Sequence, residues 1–177
     1  MPLTKIISGG QTGVDRGALD AALVADFPCG GWCPANREAE DGEIPERYPL
    51  TPLPNEFASG SAVGPTARQI GKHYRARTLK NVQDSDGTVI LFSATLSGGT
   101  LLTRNLCVRE KRPFILVDAK RTTKLRAADA VVRFVEEHDL RVLNVAGPRL
   151  SGWPKGYAFA MAVVGEVIIR HFKPHPS

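Results

Sequence analysis

Cysteine is scarce in this chain. Only Cys29, Cys33 and Cys107 occur among 177 residues. The count is odd, and Cys29 and Cys33 have a C-x3-C spacing rather than the C-x2-C of zinc sites. Three reduced thiols of a cytoplasmic protein are the expectation. Aromatic residues make up 7% of the chain, too few for an obvious base-stacking platform. Charge of one sign is not concentrated either. The net charge of +5 comes from 23 basic and 18 acidic residues scattered along the chain. Only 109–112 and 120–126 are locally basic, so no nucleic-acid groove is expected. The longest apolar stretch, 157–169, contains Glu166 and falls short of the ~20 residues that span a bilayer. Residues 1–8 lack the pattern of a secretory signal. No membrane association is expected.

Several catalytic signatures are also missing. His73, His138, His171 and His175 show neither H-x-x-x-H nor H-E-x-x-H spacing, so no metal site is predicted. There is no G-x-S-x-G elbow, no G-x-G-x-x-G fingerprint and no Walker loop.

What the chain does have is a hydrophobic content of 42% and a regular alternation of elements. Apolar runs at 3–8, 87–93, 113–119 and 140–147 read as strands buried on both faces. A fifth strand is expected near 30–34. Helical spacing predicts helices over 14–26, from 65 to about 79, and over 97–111, 125–139 and 156–172. This pattern predicts an α/β fold: a Rossmann-like, doubly wound, mainly parallel sheet with helices on both faces. A single domain over 1–177 is expected, with a frayed tail at 173–177. Residues 31–60 are rich in proline and charge and read as a long irregular segment. The final helix is apolar on nearly every side, which implies deep burial or a partner surface in a homo-oligomer.

Three loops attract attention. "SGGQTGVD" (8–15) follows the first strand and opens a helix. Its Ser8, Gly9, Gly10, Gln11, Thr12, Gly13, Asp15 and Arg16 are candidate ligand contacts. Free amides of a first helical turn carry roughly half an elementary positive charge and suit an oxyanion. Thr12 and Asp15 have the spacing of a capping box with Thr12 as cap. "LSGGTLLT" (96–103) repeats the arrangement with Ser97, Gly98, Gly99 and Thr100. Ser97 or Thr100 could cap that helix. "NVAGPR" (144–149) adds Asn144, Gly147 and Arg149 at the end of another strand. If the sheet is parallel, all three lie at its carboxyl edge, where such sheets bind ligands. Trp32 could stack on a flat ring, though core packing is commoner for Trp. The acidic stretch 36–43, with Glu46, is a solvated loop or a lid. Asp84 and Asp86 are expected at the opposite edge as a strand entry. As acid or base, Asp15, Asp86 and Glu46 are the weak catalytic candidates.

Five stretches, "ISGGQTGVDRGALDAAL", "GGWCPANREAEDGEIPERYPL", "NVQDSDGTVIL", "LSGGTLLT" and "RVLNVAGPR", together resemble the "putative molybdenum carrier" family. That family is a circularly permuted branch of the SLOG superfamily of Rossmann-like proteins. It is related to the molybdenum cofactor carrier protein and to the lysine-decarboxylase-like or LOG proteins. The resemblance implies that two glycine loops bind a phosphorylated small molecule, either a nucleotide or the molybdenum cofactor. Some relatives are phosphoribohydrolases with a P-G-G-x-G-T-x-x-E motif whose Glu aids the chemistry. Here the matching stretch is Ser97-Gly98-Gly99-Thr100, and Thr103 stands near the place of the acid. The resemblance therefore favours a binding or carrier protein. A nucleotide hydrolase is the alternative.

Overall fold

The computed structural model describes residues 3–54 and 67–172. The expected frayed tail and the 55–60 end of the irregular segment lie outside the described residues. The chain begins with strand β1 (Lys5–Ile7), helix α1 (Val14–Val24) and strand β2 (Cys29–Gly30). A strap of short strands follows: β3 (Trp32–Cys33), β4 (Glu38–Ala39), β5 (Gly42–Glu43) and β6 (Thr51–Pro52). Then come α2 (Ala67–Gln83), β7 (Gly87–Phe92), α3 (Gly98–Arg109), β8 (Phe114–Asp118), α4 (Lys124–Glu137), β9 (Val142–Ala146) and α5 (Gly156–Phe172).

Five strands form one parallel sheet in the order β2-β1-β9-β7-β8. The last strand in sequence is thus inserted at the centre. Its Asn144 lies opposite Ile7 on one side and Thr88 on the other. The apolar strand runs make sense in this setting, because helices cover both faces. Core residues of α1, α4 and α5, such as Ala18, Val131 and Val163, pack on one face with Val89, Leu143 and Val145 of the sheet. On the other face, Val82 of α2 packs with Leu106 and Cys107 of α3. The apolar character of α5 reflects burial, with Val163, Val164, Val167 and Ile168 each at most 2% exposed.

Two sequence expectations need adjusting. Helix α2 runs on to Gln83, beyond Leu79. The fifth strand of the sheet is Cys29–Gly30, whereas Trp32–Cys33 pairs with β6 in a separate ladder. The strap is also less formless than its composition implies. It buries Cys33, Ala39, Ile44, Tyr48 and Leu50 against Leu19 of α1. These contacts carry no sequence periodicity because they come from short strands and turns. No described helix is long and apolar enough to cross a membrane.

Candidate functional site

A cleft of about 510 Å³ opens at the carboxyl edge of β1, β9 and β7. All three predicted loops contribute to it: Gly9, Gln11 and Asp15 from the first, residues 97–100 from the second, and Asn144 with Gly147–Arg149 from the third. Helix α2 forms a further wall with Gly71, Tyr74, Arg77, Thr78 and Asn81. Strand order explains the convergence. Placing β9 between β1 and β7 brings the ends of distant segments side by side.

The first loop is closed upon itself. Ser8 is fully buried, and its hydroxyl donates to Val145 O at 2.6 Å. The Gln11 amide donates to Asp15 Oδ2 at 3.2 Å, and the Thr12 amide donates to Gln11 Oε1 at 3.0 Å. The Gly9 amide also supports the Asp15 carboxylate. Asp15 thus fills the concavity that the glycines create. The glycines themselves face protein. A Cβ at Gly9 would stand 2.1 Å from Arg77 Nη1, and one at Gly10 would stand 2.3 Å from Leu50 Cδ1. Gly13 has φ +79, and a Cβ there would meet Pro148 O at 2.7 Å. The expected capping box does not form. Gly13 is the N-cap of α1 and no side chain caps it. The helix begins one residue too late for Thr12 to serve. Its hydroxyl instead binds Glu40.

The second loop is open. Ser97 occupies the N-cap of α3 without a side-chain cap bond. The amides of Thr100 and Leu101 both turn back to Ser97 O at 3.2 Å. Those of Gly98 and Gly99 come before them, at the start of the helix, where backbone donors lack intrahelical partners. A Cβ at either glycine would meet nothing within 4 Å. Thr103 donates its hydroxyl to Gly99 O at 2.9 Å.

The third loop lies between them. Asn144 is 2% exposed and donates from Nδ2 to Thr88 Oγ1 at 3.2 Å. Gly147 permits close packing, since a Cβ would stand 2.5 Å from Leu91 O. Arg149 lines the cleft, and its Nε lies 3.5 Å from Glu40 Oε2.

Ser8, Gly10, Thr12 and Gly13 of the first loop do not line the cleft, and four further sequence candidates lie away from it. Arg16 grips Asp41 through both terminal nitrogens, at 2.6 and 2.8 Å, and donates from Nε to Gly10 O. Its charge is spent on the strap. Trp32 donates from Nε1 to Asp84 Oδ2 at 2.6 Å, and Lys80 sits over its ring. It therefore braces α2 instead of covering the cleft. Asp86 accepts the Arg141 and Val142 amides at 3.0 and 2.8 Å, which fixes the entry to β9 at the opposite edge. Glu46 is exposed on the strap and takes no part in the cleft lining.

Arg77 was not signalled by any motif. Its Nη1 donates to Gly9 O at 2.8 Å and lies 3.5 Å from Asp15 Oδ2. The signal that could have found this wall is the spacing of Gly71, Tyr74, Thr78 and Asn81, which marks one face of a helix. Trp153 also lines the cleft and packs on Phe159.

Electrostatically, the described lining holds one carboxylate, Asp15, and two guanidinium groups, Arg77 and Arg149. Burial pushes the Asp15 carboxyl above its ordinary range, although Arg77 and the Gln11 amide pull the other way. Among the described residues, no group of three His, Cys, Asp or Glu side chains could hold a metal ion. The arrangement is chemically suited to holding an anion beside a flat or apolar body.

A family model described as "Circularly permutated YpsA SLOG family" matches residues 6–168. The chain belongs to this family. The match includes all three cleft loops of this SLOG protein. No curated protein matches the chain. Among solved structures, it is similar to the "Putative molybdenum carrier protein" of Syntrophus aciditrophicus SB. The two are 39% identical, with 94% of this chain and 96% of that one covered and a TM-score of 0.82.

Proposed function

We propose that this SLOG protein binds a phosphorylated, ring-bearing small molecule, as a carrier of a nucleotide, a nucleotide derivative or the molybdenum cofactor. One observation carries the reading. Gly98 and Gly99 stand at the head of α3 and line the cleft, with no atom of the chain within 4 Å of where a Cβ would lie; Gly98 also has φ +53, so the free space speaks most directly at Gly99. Empty space beside a helix N-terminus suits a phosphate. Arg77 and Arg149 add positive charge to the same cleft. The ring would rest against Tyr74 or Trp153, which also line it. The name of the similar solved structure supports a molybdenum-related ligand. The residues present fit the phosphate and ring of such a cofactor. When bound, it would supply a metal held on its own sulfur atoms.

Equilibrium titration with nucleotides and with isolated molybdenum cofactor tests this reading. Saturable binding is expected, and Gly99→Val should abolish it by filling the open space. No binding at millimolar ligand would overturn the reading.

Asp15 favours a second reading, a nucleotide hydrolase. It is the only carboxylate in the described lining, and burial raises its pKa toward the range of a general acid. Release of free base from adenosine monophosphate, lost in Asp15→Asn, would support it.

A further inference from the structure

At the rim of the cleft, one carboxylate is held by a set of donors that would equally hold a ligand. Glu40 Oε1 accepts the Thr12 hydroxyl and, at 3.1 Å, the Ser151 amide. Glu40 Oε2 accepts the Ser151 hydroxyl at 2.6 Å and lies 3.5 Å from Arg149 Nε. Two hydroxyls, one amide and one guanidinium thus converge on a single oxyanion. Such charge-assisted contacts are the usual equipment of a phosphate or carboxylate site. The donors belong to the first loop and to the 149–151 turn. Arg149 itself and the neighbouring Gln11 and Gly152 line the cleft, so the set adjoins the ligand space.

The occupant sits on the turn between β4 and β5, beside Asp41, which Arg16 grips. The β4–β5 ladder has only two residues on each side, and Glu38 lies directly opposite Glu43. Like charges so placed weaken a ladder. Glu40 itself is tied to the body through its amide, which donates to Gln11 Oε1 at 3.0 Å. Burial raises the Glu40 carboxyl, but its contacts with Ser151, Thr12 and Arg149 outweigh this and lower it from its ordinary value.

We propose that Glu40 is a displaceable internal anion: Thr12, Arg149 and Ser151 form a second oxyanion subsite that takes a further phosphoryl or carboxylate group of the ligand when Glu40 swings away. This rests on reading the cleft as a phosphate site at Gly98 and Gly99. It assigns the ligand at least two anionic groups, as in a nucleoside diphosphate or dinucleotide. It also makes Glu40 a competitor that sets affinity.

Inorganic pyrophosphate is the probe, because it tests the anion sites without regard to the ring. Calorimetric titration would compare the wild type with Glu40→Gln and Gly99→Val. Glu40→Gln keeps the side-chain shape and removes the competing charge. It should tighten pyrophosphate binding about tenfold, the size expected for one or two charge-assisted hydrogen bonds. Equal affinity of wild type and Glu40→Gln, with binding lost in Gly99→Val, would overturn the second subsite and leave the cleft reading intact. No binding by either protein would overturn both. The carboxyl resonance of Glu40 provides a second measurement on the unaltered chain. Saturating pyrophosphate should move it to the position of a solvated glutamate, and an unchanged resonance would refute the displacement.

Discussion

The glycine loops at 8–13 and 97–100 look alike in sequence and behave as opposites in the structure. Both place Ser-Gly-Gly after a strand and before a helix. In the first, each glycine makes room for protein: Arg77 against Gly9, Leu50 against Gly10, the Pro148 carbonyl against Gly13. Its concavity already contains the Asp15 carboxylate. In the second, Gly98 has φ +53, a backbone reason for glycine, and Gly99 makes room for nothing that the chain supplies. A glycine is needed where a Cβ would clash or where φ is positive, and either cause produces the same letter. What separates a packing glycine from a ligand glycine is what occupies the missing side chain's place. The first loop is therefore a structural hub, and the second carries the candidate anion site.

The comparison breaks most readily at Gly13. Its φ of +79 is costly for any residue with a Cβ, and the clash there is with the backbone of residues 148–150. Gly13→Ala is expected to lose on the order of 3 kcal/mol, from conformational strain plus displaced backbone. Urea denaturation measures it. A loss below about 1 kcal/mol would mean that the first loop is as yielding as the second.

Asp15 tests whether the first loop truly encloses its own anion. Its pKa is raised from 3.8, with burial the largest cause and Arg77 opposing. Between 3.8 and its raised native value, the folded state binds more protons than the unfolded state. Stability from this group therefore falls as pH rises through that window. Asn cannot titrate. The difference in stability should move in favour of Asp15→Asn as pH climbs from about 4 toward 7. Denaturation midpoints of both proteins across that range check the sign. A difference that stays flat would show the carboxyl to be unburied in effect.

Much of this was legible in the sequence, and the reasons differ by region. The strand at 87–93 could be read because a parallel sheet buried on both faces demands unbroken apolar runs, and 113–119 is as apolar although β8 is the edge strand and leaves Leu116 exposed. The three cleft loops could be read because strand-to-helix turns of such a sheet share one edge. Strand order could not be read, since nothing local in 140–147 says that β9 enters between β1 and β7. Nor could the roles of Arg16 and Trp32. Each has the right chemistry for a ligand, but Asp41 and Asp84, which occupy them, are remote in sequence. Arg77 was hidden for the reverse reason: a helix face contacts a loop 68 positions away with no motif to mark it.

The strap gives a smaller effect. Tyr48 is 1% exposed, and its hydroxyl donates to Asp20 Oδ2 at 3.1 Å while accepting from Arg47 at 2.6 Å. Tyr157 also donates to Asp20, and burial together with that carboxylate pushes its pKa up to about 12. This cluster presses the strap against α1, next to the first loop. Tyr48→Phe should cost about 2 kcal/mol, because the lost hydroxyl bonds two charged partners. Affinity for ligand at Gly98 and Gly99 should not change. A Tyr48→Phe protein with weakened binding would show that the two loops are coupled through the strap.

The smallest expected effect on stability is the most discriminating. Gly99 lies in the first turn of α3, and a Cβ there meets nothing within 4 Å. Gly99→Ala should therefore stabilise the protein by about 0.5 kcal/mol, because alanine restricts the unfolded chain and suits a helix. The same methyl group would project into the space assigned to phosphate. A protein that grows slightly more stable while its affinity for pyrophosphate falls would separate packing from binding at a single position. Gly13→Ala, by contrast, must lose stability. If Gly99→Ala instead destabilises the fold, the space beside α3 is needed by the chain itself. The two glycine loops would then differ in degree and not in kind.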